Sequence, residues 1–413
     1  MPPSRGRVWL VAAVATLAMT VSYADRQVLA VIGTSVRQTL GIGAEQFGWL
    51  AAAFSAAYLV CTPLAGVVLD RFGARLGLVV AVLVWSLVSA AHAWTRTFGG
   101  LLALRIALGI AESPSFPAAA LAVRRALPAG DRTAAFGLLF TGSSLGAAIA
   151  GSVAPTLDAR MGYQSAFWVT ALLGLAWLPL WLAVTRAPEI RQALAGPSVE
   201  RTIAAPARDH RRALLDPAVG RAIVLVLGSA PTPMFVFIWF PQYLTLRCGI
   251  PKASIGHYIW LPPLMADAGM LVFGMLGSWR DRAARRRRSH VELVLAAAAL
   301  DATLAILPRV QSAWPSALLV GIAAAGGGGL YTLLTADMMA RVNPQRASEA
   351  AGLTAAAQSL TYVVLNPLVG HFVDRLHSFD PVVMGLGLLA ILGAAAWCAM
   401  IGHDEGRKAR HPC

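Results

Sequence analysis

The sequence predicts an all-α membrane protein of twelve transmembrane helices arranged as two six-helix bundles. Three observations carry this reading. Of 413 residues, 57% are hydrophobic and only 13% charged, with a mean hydropathy of +0.64. That is too little charge to cover a soluble protein of this length. Apolar runs of about 20 residues, the length that crosses a bilayer, recur along the whole chain. Loop motifs also repeat half a chain apart. Gly66-Val-Val-Leu-Asp70-Arg71-Phe-Gly-Ala-Arg75 returns as Gly277-Ser-Trp-Arg-Asp281-Arg282, and Leu127-Pro128 with Asp131-Arg132 answers Asn343-Pro344 with Gln345-Arg346. Leu157-Asp158 answers Val373-Asp374, so the offsets are 211, 216 and 216 residues. This marks an internal duplication, and a duplicated membrane chain is most simply a transporter.

The spans follow from apolar runs bounded by charge, proline or glycine. Val8–Thr34 stops before Arg37, Gln46–Leu69 at Asp70-Arg71, and Leu76–Ala93 before Arg96. Phe98–Ala122 stops at Arg124-Arg125, Thr133–Thr156 before Asp158, and Tyr163–Val184 at Arg186 and Pro188. In the second half, Val219–Leu244 stops at Arg247, and Ser254–Ser278 at Asp281-Arg282 with the run Arg285 to Arg288. Val291–Leu307 stops at Pro308-Arg309, Trp314–Met339 at Arg341, Ala350–Val373 at Asp374-Arg375, and Val382–Ile401 before the charged tail. The expected domains are a first bundle over 1–185, a cytoplasmic linker over 186–218, and a second bundle over 219–413 with a short cytoplasmic tail.

The net charge of +14 and pI near 10.7 have a topological origin. With the N-terminus inside, cytoplasmic segments carry 25 of the 34 Lys and Arg residues and the outer loops seven. That asymmetry is the positive-inside rule. Both termini are therefore expected in the cytoplasm of a multi-pass cell-membrane protein (the inner membrane, if the cell is bacterial), and nucleic acid is not expected as a partner. One rival reading takes Arg5, Arg7 and the apolar run to Ser22-Tyr23-Ala24 as a signal peptide. Cleavage there would remove most of span one and break the duplication. Cys61, Cys248, Cys398 and Cys413 are widely spaced, which supports neither a metal site nor a disulfide framework. With no phosphate loop or nucleophile triad in view, neither an enzyme nor a cofactor is expected.

The motifs carry a family resemblance over almost the whole chain. Gly66 to Arg75 resembles the signature between helices two and three of the major facilitator superfamily, which implies its fold. Tyr23-Ala-Asp25-Arg26-Gln-Val-Leu, Trp85-Ser86 and Arg105-x₃-Gly109-x₂-Glu112-x-Pro114-x₂-Pro117 resemble the anion:cation symporter branch, which includes hexuronate and galactonate transporters. Phe237-Ile-Trp239-Phe-Pro241-Gln242-Tyr243-Leu and Trp260-Leu-Pro-Pro-Leu-Met-Ala-Asp267 are similar to its helices seven and eight. Gln242, where many relatives carry Lys, and the Arg-rich loop after Asp281 depart from the pattern. The resemblance implies proton-coupled uptake of a small organic anion, a sugar acid first, by a protein expected to work as a monomer in the lipid bilayer; the alternatives are a facilitator-type transporter of another substrate class (another carboxylate, an exporter or a lipid transporter) and a non-transporting membrane sensor.

The buried charges have their own chemistry. An ionisable side chain within a span costs about 2.5–3.5 kcal/mol to insert, so it is a functional candidate by default. Arg105 and Glu112 are seven residues apart on one helix and share a face, with about 10.5 Å of rise between them. Their attraction across that distance is only about 1.6 kcal/mol at an effective dielectric near 20. Desolvation of the acid outweighs this, so Glu112 is expected to hold a proton near neutral pH while Arg105 stays charged and meets an anion.

Asp25 and Arg26 point about 100° apart and do not simply neutralise each other. Either Arg26 snorkels to an interface and Asp25 caps a helix break, or Arg26 clamps a carboxylate and Asp25 is a second protonation site. The resemblance favours the second reading, and it aligns Tyr23 and Tyr58 with substrate-contacting hydroxyls. Asn366, beside Pro367, is a further candidate. Asp70, Arg71, Arg75, Arg132, Asp281 and Arg282 lie at inner helix ends and are expected to form gate contacts between cation and carboxylate. His257 is given no role, Asp267 matches a position of the resembled family, and Asp301 and Asp337 are open between interface contact and relay. Gly326 to Gly329 occupy, in span ten, the place of Glu112 in span four, and are expected to loosen the second half.

Overall fold

The structure, a computed structural model, describes residues 5–194, 216–283, 290–343 and 347–410. It is helical, with no strand among the described residues. Among the described residues, eleven helices are long and apolar enough to cross a membrane, and Ala347–Leu376, thirty residues long, is the remaining member of the expected set of twelve. Most of the linker expected over 186–218 lies outside the described residues. Its first part forms the helix Pro188–Leu194.

The contacts divide the chain into two compact units. One comprises Met1–Ala204 with Gly249–Trp260, the other Ala205–Cys248 with Leu261–Cys413. The first unit holds span one (Arg5–Val31), span two (Ala44–Ala65), span three (Phe72–His92), span four (Phe98–Ala126), span five (Gly130–Met161) and span six (Gln164–Val184). Its apolar core runs from Val8 and Val11 through Leu78, Val82 and Trp85 to Trp177 and Trp181. Spans two and three are joined through Gly73, whose φ of 76° and ψ of 166° break an otherwise helical segment. A residue with a Cβ rarely adopts that conformation, so the Gly-rich motif here is a turn between two membrane crossings.

Span four starts on Thr97, whose side chain accepts from the Gly100 amide, and it is interrupted directly after Glu112. Helix Phe98–Glu112 ends, and Ser115–Ala126 begins beyond Pro114. Proline removes an amide donor and disfavours the helical state of the residue before it. Span five crosses close to span one at Gly146, where a Cβ would collide with the Thr20 carbonyl and lie 3.0 Å from the Tyr23 Cβ. Bare backbone on span five thus lets span one carry its charged residues deep into the bundle.

The second unit contains span seven (Pro217–Leu246), span nine (Val291–Arg309), span ten (Ala313–Arg341), Ala347–Leu376 as span eleven, and span twelve (Asp380–Ile401), together with most of span eight (Lys252–Asp281). Asp216 caps span seven by accepting from the Ala218 amide, with Pro217 at the first helical position, the favoured arrangement for a helix start. Two spans change their winding midway. Span seven passes through Pro231-Thr232-Pro233 into a π-helical turn at Phe235–Trp239, and span nine becomes a 3₁₀ helix from Ala302 to Arg309. The glycines 326 to 329, expected to loosen this half, do the opposite. All four are buried; a Cβ on Gly326 would clash with span nine and one on Gly328 or Gly329 with span eight, while one on Gly327 would lie 3.3 Å from the Asp301 carboxylate of span nine. Small residues in a membrane bundle admit close helix contact.

Candidate functional site

The site lies within the first unit, where spans one, two, three, four and six bring ionisable and hydroxyl side chains together. Asp25, Arg105 and Glu112 are all at most 4% exposed. Asp25 and Arg26 are consecutive on an unbroken helix, so they face different neighbours, as helical spacing requires. Asp25 turns towards spans three and six, and its Oδ1 accepts from Ser89 Oγ at 2.6 Å and Thr170 Oγ1 at 2.8 Å. It caps no helix break, because span one continues to Val31.

Arg26 turns towards span four. Its Nε donates to Glu112 Oε2 at 2.6 Å, and the same oxygen accepts from Ser22 Oγ at 2.9 Å. The expected near-independence of Glu112 needs correction here. Its counter-ion is Arg26 from another helix, not Arg105 two turns back on its own. An ion pair across helices brings charges to hydrogen-bond distance, whereas positions seven apart on one helix cannot close their 10.5 Å or so of rise.

Aromatic rings hold both guanidinium groups. The Arg26 guanidinium carbon is 4.5 Å from the Tyr58 ring centre, 4.9 Å from that of Tyr23 and 5.3 Å from that of Phe54. The Arg105 group lies 4.7 Å from the Phe54 ring centre. Ring faces attract cations without consuming their N–H donors. Among the described residues, Arg26 Nη2 and the Nε and Nη1 of Arg105 accordingly have no hydrogen-bond partner, and neither do Asp25 Oδ2 and Glu112 Oε1. Two permanent cations and two titratable acids are thus assembled with donors to spare. Such a set can bind a carboxylate through the guanidinium groups and exchange protons at the acids.

Tyr23 and Tyr58, expected as hydroxyl contacts, present their ring faces to Arg26. Asn366 lies in the second unit, buried, where its Oδ1 accepts from Trp239 Nε1 at 2.9 Å and its Nδ2 donates to the Tyr362 carbonyl at 2.8 Å. Among the helix-end residues, Arg75 donates to Thr185 Oγ1 at 3.0 Å and Arg132 to the Leu127 carbonyl at 3.1 Å. Neither of these hydrogen bonds goes to a carboxylate. Asp281 pairs with His290 at 3.1 Å. The side chains of Asp70, Arg71 and Arg282 lie outside the described residues. Asp131 takes Arg5 at 2.9 Å, a helix-end ion pair that no motif announced.

Four site residues escaped sequence reasoning: Ser22, Phe54, Ser89 and Thr170. A weak signal existed for two of them. Ser22 is one turn before Arg26, and Ser89 one turn after Ser86. Which helix each would face is a tertiary fact that spacing alone does not carry.

The sequence pattern of the Major Facilitator Superfamily matches residues 15–364. The chain is 27% identical over 410 residues to the hexuronate transporter of Escherichia coli K12, covering 94% of this chain and 93% of that protein. It is 24% identical over 427 residues to the D-galactonate transporter of Escherichia coli O6:H1, covering 97% and 96%. Among solved structures it is similar to a bacterial homologue of the human lysosomal transporter Spinster, with a TM-score of 0.78, 14% identity, and coverage of 96% and 98%. At that identity the structural likeness speaks for the fold.

Proposed function

The chain belongs to the Major Facilitator Superfamily, and on that premise we propose that it is a secondary active transporter that takes up an organic anion, most closely a sugar acid of the hexuronate or aldonate type, together with protons. The names of its relatives support the substrate class. The observation that carries the coupling is the Arg26–Glu112 contact at 2.6 Å beside the unpartnered donors of Arg105.

With Asp25 and Glu112 both ionised, the two acids balance the two arginines and the site carries no net charge for an anion to answer. A proton on Glu112 breaks that balance. It removes the charge that holds Arg26, leaves the cluster with one positive charge, and frees a guanidinium fork for a substrate carboxylate. Binding of the anion and protonation of Glu112 therefore favour each other, which is the linkage that symport needs. Asp25, held by hydroxyls and by no cation at hydrogen-bond distance, is the second protonation site. Arg26 and Arg105 bind the anion, with Tyr23 and Tyr58 fixing the Arg26 head. Asn366 is kept as a substrate contact from the second half, to be reached in another stage of the cycle.

The two halves (1–185 and 219–413) alternate access about this site, and the helix-end residues Asp70, Arg71, Arg75, Arg132, Asp281 and Arg282 gate it. The working unit is a monomer with both termini in the cytoplasm. Purified protein in proteoliposomes provides the test: an inward pH gradient should drive accumulation of a hexuronate or galactonate, with proton entry measured alongside. Substrate entry without proton movement would overturn the coupling. Failure of every sugar acid in a panel that also holds aromatic acids and dicarboxylates would overturn the substrate class.

A further inference from the structure

Asp25, Glu112 and Asp301 are the buried carboxyl residues among the described residues, and the scheme above uses only the first two. Asp301 lies in the second unit with no exposed surface. Its Oδ1 accepts from Thr232 Oγ1, and its Oδ2 has no hydrogen-bond partner among the described residues. Spans eight, ten and twelve pack around its helix, yet among the described residues no charged side chain from any of them pairs with it, and its hydrogen-bond partner is the Thr232 hydroxyl.

The backbone around this pair is unusual. Asp301 is the last α-helical residue of span nine, immediately before the 3₁₀ stretch. Thr232 sits between two prolines where span seven breaks. One hydrogen bond therefore joins the discontinuities of two membrane helices. Span ten closes over it with glycines: a Cβ on Gly326 would strike the Asp301 amide nitrogen and the Ala297 carbonyl, and one on Gly327 would lie 3.3 Å from Oδ2. Broken helices at membrane depth are tolerated where protein packs round them, and in transporters they commonly carry ion sites. A carboxylate here would have one hydroxyl donor and no cation, which is costly in a water-poor interior.

Resting on the proton-coupled reading, we propose that Asp301 is a proton-binding site of the second half, loaded and unloaded in each transport cycle. The proton sits on Oδ2 while Thr232 donates to Oδ1. When the broken helices of spans seven and nine rearrange, the O–H bond at Oδ2 breaks. The proton passes to water, and the electron pair stays on the carboxylate.

The test is a measurement of the proton-to-substrate ratio in proteoliposomes for wild type and Asp301→Asn, which keeps shape and hydrogen bonding but cannot release a proton. The ratio should fall by one proton while substrate exchange without a gradient is preserved. An unchanged ratio in an active variant would overturn the proposal and leave the Glu112 scheme standing. A wild type that moves no protons would sink both. Should Asp301→Asn fail to fold, wild-type protein decides the matter. Dicyclohexylcarbodiimide attacks protonated buried carboxyls, so mass spectrometry should find an Asp301 adduct whose yield falls as the labelling pH is raised. A yield at Asp301 that is independent of pH would mark a proton that never leaves, and would contradict the proposal.

Discussion

Arg26 Nε and Glu112 Oε2 are 2.6 Å apart, although 86 residues separate them in sequence. The residue assigned to grip the substrate is thus already gripped by the residue assigned to carry the proton. On the proposed mechanism, a bound carboxylate and an ionised Glu112 would compete for the same donor, and protonation of Glu112 would settle the competition in favour of the substrate.

The first prediction concerns affinity. Arg26→Ala and Arg105→Ala each remove a buried charge-assisted contact, worth on the order of 1.5–3 kcal/mol or more. Titration of purified protein should show substrate binding weakened roughly ten- to more than a hundredfold. Lysine at either position should recover only part of this, because an ammonium lacks the planar fork. Wild-type affinity in Arg105→Ala would remove that residue from the site.

Asp25 owes its setting to two hydroxyls. Ser89→Ala with Thr170→Val leaves its buried carboxyl without either donor, at a cost of about 1–3 kcal/mol for each unsatisfied group. The double variant should melt at lower temperature in detergent. Adding Asp25→Asn to it should restore much of the loss, since a neutral amide is cheaper to bury. Equal melting of wild type and double variant would contradict the assigned hydrogen bonds.

Gly146 makes a packing prediction with a built-in control. Gly146→Ala pushes span five off the Thr20 carbonyl and the Tyr23 side chain, whereas a Cβ at Gly137 on the same span meets nothing within 4 Å. Overpacking typically costs about 1–3 kcal/mol. Gly146→Ala should therefore reduce both thermal stability and transport, with Gly137→Ala close to wild type. Similar behaviour of the two variants would refute the close crossing.

Orientation is testable by labelling. In a background without native cysteines, Ser198→Cys and Arg407→Cys should react only from the cytoplasmic side, as the excess of 25 cations over seven requires. Labelling of either position in intact cells by an impermeant reagent would reverse or break the topology.

The spans were legible in the sequence because charges, prolines and glycines interrupt apolar runs at their ends, and the four charged residues of the candidate site stood out because ionisable groups in such runs are costly. Their pairing was not legible. Arg105 and Glu112 share a helix and a face, so spacing joined them, while the partner of Glu112 arrives from span one. Ser89 and Thr170 resemble any small polar residue in a membrane helix until Asp25 is seen between them. The glycines of span ten read as looseness in one dimension and are tight contacts in three.

The most direct measurement compares two assays of Glu112→Gln, a change that keeps the size of the side chain and its ability to accept from Arg26 and Ser22, but removes the exchangeable proton and the charge. In proteoliposomes, the variant should retain substrate exchange between two equal pools and lose accumulation driven by a pH gradient. If Glu112→Gln accumulates substrate under a proton gradient as wild type does, Glu112 does not carry the proton, and the competition at Arg26 is not the coupling step.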